Sequence, residues 1–263
     1  MSIKSIDEYI ASTKQILSFN KPTSTTVNPC IATSFSGRAG HPGIVTSTGL
    51  SAPWIITDAA VGFPKIVDIG KPLYLTRVSF IGQFVKRLDL YDCLTMSGPH
   101  SSLTATTNVI TGLVTSRFPV VNSVTDYTCG IWLEMTASSG VTFDVQVSYV
   151  NQDDVTRTTP VITVSAAVRN SAFGMVKLPL FGTDTGVKRV LNVYTGGATG
   201  ATFNILMLRY LWSSLANSTA GQLNSDVVNT GMPQVFPDSA IFPIAYSNGS
   251  SSGTCPITIE VSG

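Results

Sequence analysis

The sequence contains few charged residues. Only 12% of its 263 residues are Asp, Glu, Lys or Arg, about half the quarter that is usual for a globular protein. Solvated surfaces are built mainly from these four residue types. Large areas of this surface must therefore consist of Ser, Thr, Asn and small apolar side chains. Such areas suit contact with other protein molecules better than contact with bulk water.

The charges that are present also exclude several partners. The formal net charge is +1 and the basic residues are scattered, so counterion release from a phosphate backbone would contribute little, and we expect no direct nucleic-acid partner. No apolar run approaches the roughly 18 residues of a membrane-spanning helix. Lys4, Asp7 and Lys14 lie where a signal peptide needs an uncharged core. We expect no membrane partner and synthesis in the cytoplasm.

Metal, cofactor and catalytic motifs are lacking as well. The four cysteines are Cys30, Cys93, Cys129 and Cys255. None has the spacing of a zinc ligand pair, so we expect them to act as small hydrophobic side chains. The two histidines, His41 and His100, lie in Gly- and Pro-containing segments that do not suggest a Ser-His-Asp site. The sequence thus predicts no metal, no cofactor and no enzymatic activity.

The first twenty residues predict one short helix. Ser5 and Glu8 form a capping box. Residues then recur at three- and four-residue spacing on one face: Ile6, Tyr9, Ile10, Thr13, Ile16 and Leu17. This pattern predicts a helix over residues 6–17. Because so short a helix is marginal alone, its apolar face must pack on the protein's own body or on a neighbouring subunit, and the sequence leaves both open.

Residues 20–62 are predicted to form an extended arm. Prolines and glycines interrupt every apolar run before it reaches strand length. The hydrophobic content of the segment favours an arm that gains order by lying along a partner. The helix and the arm together give an N-terminal assembly region, residues 1–62. Its candidate partner-binding residues are Ile6, Tyr9, Ile10, Ile16, Leu17, Phe35 and Trp54.

From residue 63 onward the hydrophobic period is two. Apolar and polar residues alternate from Val141 to Tyr149, and the turn at 151–154 leads into a second strand at 155–164. Further strands are predicted at 73–82, 86–95, 127–136, 173–180, 187–194, 201–211, 240–246 and 255–262. About ten strands at this spacing predict that residues 63–263 form an all-β body, an antiparallel β-sandwich of jelly-roll type.

One connection, residues 213–239, is far longer than a hairpin requires. It contains Val227, Val228 and Met232, which makes it too apolar for a loop without fixed structure. The connection could contain a short helix or lie across a neighbouring molecule. Alternatively, it crosses between the two sheets of the sandwich.

Four short segments stand in a particular order along the chain. They are Leu88-Asp89-Leu90-Tyr91-Asp92, Ser148-Tyr149-Val150-Asn151-Gln152, the run from Leu178 to Val190, and Gly231-Met232-Pro233. With the N-terminal helix and arm, this order resembles tailed-bacteriophage virion structural proteins of the head decoration or minor capsid type. Cys93 stands where a basic residue is expected in that pattern.

The resemblance implies a non-enzymatic part of a bacteriophage particle. It implies the virion as location, the major capsid protein or other virion proteins as partners, and a homo-oligomer. The scarcity of charged residues indicates the same assembly role independently of the resemblance. An alternative is a carbohydrate- or receptor-binding β-sandwich of the phage tail or head fibre, in which an exposed Trp132 would stack on sugar rings. Trp132 could equally be buried beneath a second layer.

Overall fold

The computed structural model describes the chain in segments. They are residues 5–21, 31–34, 49–60, 62–82, 85–102, 107–109, 117–137, 139–165, 168, 174–196, 200–214, 221–247 and 255–263. The helices are α1 (Ile6–Ala11) and α2 (Val227–Thr230). In the described segments no helix is long and apolar enough to span a membrane.

The rest of the regular structure is extended. The strands are β1 (Lys14–Lys21), β2 (Ile31–Ser34), β3 (Gly49–Ile55), β4 (Leu73–Gly82), β5 (Val85–Ser101), β6 (Thr107–Val109), β7 (Val120–Val121), β8 (Val124–Thr125), β9 (Gly130–Met135), β10 (Asp144–Asn151), β11 (Thr156–Thr158), β12 (Ile162–Thr163), β13 (Gly174–Leu178), β14 (Val187–Gly196), β15 (Thr202–Ser213), β16 (Gly221–Ser225), β17 (Gln234–Val235), β18 (Ile241–Ser247) and β19 (Cys255–Ser262). The prediction of an all-β fold is confirmed.

The strands pair antiparallel in three main sheets. The first sheet has the order β1-β19-β4-β16, with β17 beside β4. The central sheet has the order β15-β9-β13-β2-β18-β5-β3, and because β15 also pairs with β5 it closes on itself. The third sheet has the order β11-β10-β14-β6, with β12 beside β10, and β7 pairs with β8 in a separate hairpin.

Three hydrophobic clusters lie on the two faces of the central sheet. One cluster joins the central sheet to the first sheet, and another joins the central sheet to the third sheet. The remaining cluster contains Trp132 and Phe242 and lies on the face of the central sheet that points away from the other two sheets. Alternation along β9 explains this arrangement, since Ile131 and Leu133 face the third sheet while Trp132 points the other way. The central sheet is therefore buried on both faces.

The predicted length of the N-terminal helix is wrong. Helix α1 ends at Ala11, Ser12 has an extended backbone, and eight residues from Lys14 pair with β19 as strand β1. Leu17 is buried in the core whereas Ile16 is exposed, which is the alternation of a strand. The backbone ladder to β19 and the burial of Leu17 outweigh the helical spacing of the apolar residues.

The arm prediction is also wrong for the described parts of residues 20–62. Strand β2 pairs with β13 and β18, and β3 pairs with β5, so both belong to the central sheet. Phe35 lies outside the described residues. The backbone of Trp54 pairs with Met96, and its side chain lies outside the described part of the chain. The assembly role of residues 1–62 stays a prediction.

The long connection after β15 does cross between sheets. From the central sheet it passes to β16 and β17, which pair with β4 of the first sheet, and it returns to the central sheet at β18. It also contains a short helix, α2. Two of its three sequence-based interpretations are therefore confirmed together, and contact with a neighbouring molecule stays a prediction.

Candidate assembly surface

Helix α1 is held by its ends. The Ser5 hydroxyl accepts a hydrogen bond from the Glu8 amide at 3.2 Å, as the capping box predicts. At the other end the Lys14 ammonium donates to the carbonyl oxygens of Tyr9, at 2.9 Å, and Ile10, at 3.3 Å. None of the six residues of α1 is buried. A helix this short does not persist on local hydrogen bonds alone, so it needs an attachment to the body.

Tyr9 provides that attachment. Its hydroxyl donates to Glu260 Oε1 on β19 at 2.7 Å, and the same carboxylate oxygen accepts from the Thr76 hydroxyl on β4 at 2.9 Å. The bond to Glu260 and partial burial raise the pKa of Tyr9. The open question about α1 thus has a specific answer: it packs on its own body through a polar contact, and its isoleucines do not supply the attachment.

Helix α2 lies beside α1 and completes a groove between them. Asp226 caps α2 by accepting from the amides of Val228, at 3.1 Å, and Asn229, at 3.3 Å. Gly231 then ends the helix in the left-handed conformation, at a φ of 67° that favours glycine. The groove has a volume of about 360 Å³ and is lined by Ser5, Ile6, Tyr9, Val227, Val228, Gly231 and Met232. Two segments that the sequence marked separately as apolar therefore meet at one place.

The groove and helix α1 expose large apolar side chains. Ile6 and Val228 line the groove and are 61% and 83% exposed, and Ile10, one turn after Ile6 on α1, is 68% exposed. Scattered exposed hydrophobic residues are normal, but a group of them around a groove is typical of an interaction site. We call Ile6, Ile10, Val228 and the lining residues the assembly surface.

The predicted partner-binding residues fall into exposed and buried groups. Ile6 and Tyr9 line the groove, and Ile10 and Ile16 are exposed. Leu17 is instead buried in the cluster between the first and central sheets, where it cannot contact a partner. The predicted set omitted Val227, Val228 and Met232, although the apolar content of residues 213–239 was their signal in the sequence.

Two of the sequence segments interlock at the end of the third sheet. The Tyr149 hydroxyl donates to Asp184 Oδ2 at 2.7 Å, and the Asn151 amide donates to Asp184 Oδ1 at 2.8 Å. The Gln152 side chain accepts from the Gly186 amide at 3.1 Å. Burial and the Asp184 carboxylate raise the pKa of Tyr149 to about 12. The residues of these two segments fix two turns against each other, and we call them the turn cluster.

A third segment supplies a buried ionic network. Asp92 accepts from Arg117 at 2.7 Å, Arg209 at 3.1 Å, the Ser239 hydroxyl at 2.7 Å and the Ala240 amide at 3.1 Å. The carboxylate and both guanidinium groups are almost completely buried.

Arg117 joins this network to four other points of the backbone. It donates to the carbonyl oxygens of Ile56, Cys93, Leu94 and Asp238. The role of Asp92 is therefore to hold distant segments together. Across the described segments, no group of three His, Cys, Asp or Glu residues is placed to hold a metal ion.

Two of the other candidate residues, Trp132 and His100, are buried. Trp132 is 4% exposed and packs edge-on against Tyr91 with 5.4 Å between ring centroids, so the interpretation of Trp132 as an exposed stacking platform is wrong. His100 is buried, lies 3.0 Å from the Ser97 hydroxyl, and has its pKa lowered by burial to about 4. His41 lies outside the described residues.

Comparison with known proteins gives weak likenesses. The chain matches no protein-family model and no curated protein. Among solved structures it is similar to the VP2 subviral particle of infectious bursal disease virus, at 9% identity and a TM-score of 0.20 over 95% of this chain and 79% of that one. The Gx strain of the same virus gives 8% identity and a TM-score of 0.22 over 95% and 80%. Likenesses this weak support no inference about function, which therefore rests on the residues themselves.

Proposed function

We propose that this protein is a non-enzymatic structural component of a tailed-bacteriophage particle, a capsid decoration or minor head protein. Support comes from the order of the four sequence segments, the low charge of the surface and the all-β body. Its partners are the major capsid protein or other virion proteins, together with further copies of itself.

The observation that carries the proposal is the assembly surface. The Tyr9–Glu260 hydrogen bond attaches α1 to the body, and Ile6 and Ile10 are 61% and 68% exposed. A helix that is attached through a polar contact while its largest apolar side chains are exposed is well suited to bury them against a partner. Burying each isoleucine would contribute about 1.5 to 3 kcal/mol.

Repetition makes such contacts strong on a particle. A standard protein–protein interface buries roughly 1,600 Å² in total. When many copies bind one lattice and also each other, modest individual affinities combine into a high overall affinity. The sandwich then acts as a stiff body, and the assembly surface attaches it to the shell.

Occupancy of particles tests the proposal. The double variant Ile6→Ser/Ile10→Ser should reduce binding of purified protein to particles that lack it by at least about tenfold, since each exposed isoleucine contributes more than 1 kcal/mol. Val161→Ser is the matched control, because Val161 is 60% exposed on another part of the molecule. Wild-type occupancy of the double variant would contradict the proposal. Deleting residues 1–20 is a poorer test, since it also removes most of β1 from the first sheet.

The alternative function loses its main support. A carbohydrate- or receptor-binding role rested on an exposed Trp132, and that side chain is buried. Strong and selective binding of the isolated protein on a glycan array would revive it.

A further inference from the structure

Strand β1 is an edge strand of the first sheet among the described strands. Within the described residues its single strand partner is β19, at the end of the order β1-β19-β4-β16. Thr13 and Gly263 exchange both backbone hydrogen bonds, at 3.0 and 3.2 Å. Hydrogen-bonded pairs alternate with non-hydrogen-bonded pairs in an antiparallel ladder. The bonds to β19 therefore use residues 15, 17, 19 and 21, and the backbone groups of Ile16 and Ser18 point outward.

No described residue hydrogen-bonds to those outward groups. The Ile16 side chain beside them is 60% exposed. Gln15 holds this part of β1 against the body, because its side-chain amide exchanges two bonds of 2.7 Å with the backbone of Val67. The edge around Ile16 and Ser18 is thus fixed in position, and none of the described segments pairs with it.

The sequence and pairing of β1 lack several of the usual protections of an edge strand. Natural sheets protect their edges with bulges, prolines, charged residues in mid-strand or short strands. The pairing of β1 with β19 runs over eight residues without a register shift, and its sequence contains no proline or glycine. Its charged residues, Lys14 and Lys21, stand at the two ends, and the Lys14 ammonium is bound to carbonyl oxygens of α1. An edge with these properties is a template for another strand.

We propose that β1 is the dimerisation strand of this protein, pairing antiparallel with β1 of a second copy around a twofold axis at Leu17. This rests on the proposed assembly function and names one of its contacts. Outward backbone groups meet only if even-numbered residues face even-numbered residues, and the twofold at Leu17 satisfies this rule. It places Ile16 opposite Ser18 and Lys14 opposite Asn20, so no two charged residues face each other.

The strand's own sequence favours a second copy over an unrelated strand. Pairing about Leu17 uses nearly the full length of β1 on both sides. The interface is the same on both molecules and therefore closes, which removes the open edge and limits growth to a dimer. The two first sheets become one continuous sheet, and both α1 helices stay free for a capsid contact.

Ser18→Pro tests the proposed strand pairing by removing one backbone amide hydrogen. Proline removes the outward amide hydrogen of residue 18 and places its ring where the second copy would lie, whereas the bonds to β19 use other residues. Ser18→Ala keeps the amide and is the matched control. Sedimentation velocity of the purified protein, without particles, should show a dimer for wild type and Ser18→Ala. For Ser18→Pro the dimer Kd should rise by about tenfold or more.

A second variant guards against misfolding. Ile16→Lys places a charge on the outer edge without touching the ladder to β19, and it should also give monomers with an unchanged circular dichroism spectrum. A monomeric wild-type protein, or a Ser18→Pro protein that dimerises as wild type does, would overturn the inference. Because Ile6→Ser/Ile10→Ser should still dimerise, this result is separable from particle binding.

Discussion

The turn cluster and the assembly surface differ in how their groups are partnered. In the turn cluster Tyr149, Asn151 and Gln152 find their hydrogen-bond partners within the same chain. At the assembly surface the Tyr9–Glu260 hydrogen bond attaches α1 to the body, and Ile6 and Ile10 are exposed. The difference indicates that the polar residues of the turn cluster serve the fold, whereas the exposed isoleucines are the side chains that the proposed partner would bury.

The largest expected effect of a substitution is in the buried ionic network. Arg117→Met removes the guanidinium from Asp92 and from four backbone carbonyl groups that it joins. Breaking a buried ion pair by removing one partner costs about 3 to 5 kcal/mol. Urea denaturation should show a loss of this size in the free energy of unfolding.

Lys188→Met is the control for Arg117→Met. The Lys188–Asp154 pair has the same 2.7 Å separation as the Arg117–Asp92 pair, but Asp154 is largely exposed. Exposed pairs contribute about 0 to 1 kcal/mol. Equal losses for the two variants would mean that burial of the network has no special importance.

The second effect is a dependence of stability on pH. Burial lowers the pKa of His100 from 6.5 to about 4. Between pH 6.5 and about pH 4, His100 is therefore protonated in the unfolded chain and neutral in the folded chain. Stability from this group is present above pH 6.5 and is lost as the pH falls towards 4, by about 3 kcal/mol in all.

His100→Gln isolates this contribution because glutamine stays neutral throughout. The difference in unfolding free energy between wild type and variant should shrink by about 3 kcal/mol from pH 7 to pH 4. Parallel pH curves for the two proteins would show that His100 is not buried as described.

The sequence predicted the strands better than the segments that lack a clear period. Alternation located β4 and β19 at their exact bounds, 73–82 and 255–262. The helical spacing of Ile16 and Leu17 gave a wrong prediction. Their conformation is decided by pairing with β19, which lies more than 230 residues away in sequence. Local spacing carries no information about a partner strand so distant.

The candidate site was predicted in part for a related reason. Ile6, Tyr9 and Ile10 were found from the capping box and their spacing. The apolar residues of α2 were noted, yet their position next to α1 depends on how the long connection crosses between sheets. Asp92 lies in a segment that the sequence marked, but nothing in the sequence indicated its pairing with Arg117, because the two residues meet only in the folded core.

A third and smaller effect concerns the glycine of the turn cluster. A Cβ on Gly186 would lie 2.3 Å from the Tyr127 carbonyl oxygen, whereas a Cβ on Gly140 would meet no atom within 4 Å. Gly186→Ala should therefore cost about 1 to 3 kcal/mol by overpacking. Gly140→Ala should be neutral or slightly stabilising. Thermal unfolding of the two variants checks this, and an unchanged melting temperature for Gly186→Ala would contradict the tight approach of Gly186 to the Tyr127 backbone.

The smallest expected effect on stability is at the assembly surface itself. Ile6→Ser/Ile10→Ser should change the free energy of unfolding by less than about 0.5 kcal/mol per site, because both side chains are exposed and Tyr9 holds the helix. Tyr9→Phe should cost more, about 1 kcal/mol, since it leaves the buried Glu260 without one donor. If the isoleucine variant proved the less stable of the two, these side chains would serve the fold, and the contrast with the turn cluster would disappear. Loss of particle binding without loss of stability is the combination that assigns them to a partner.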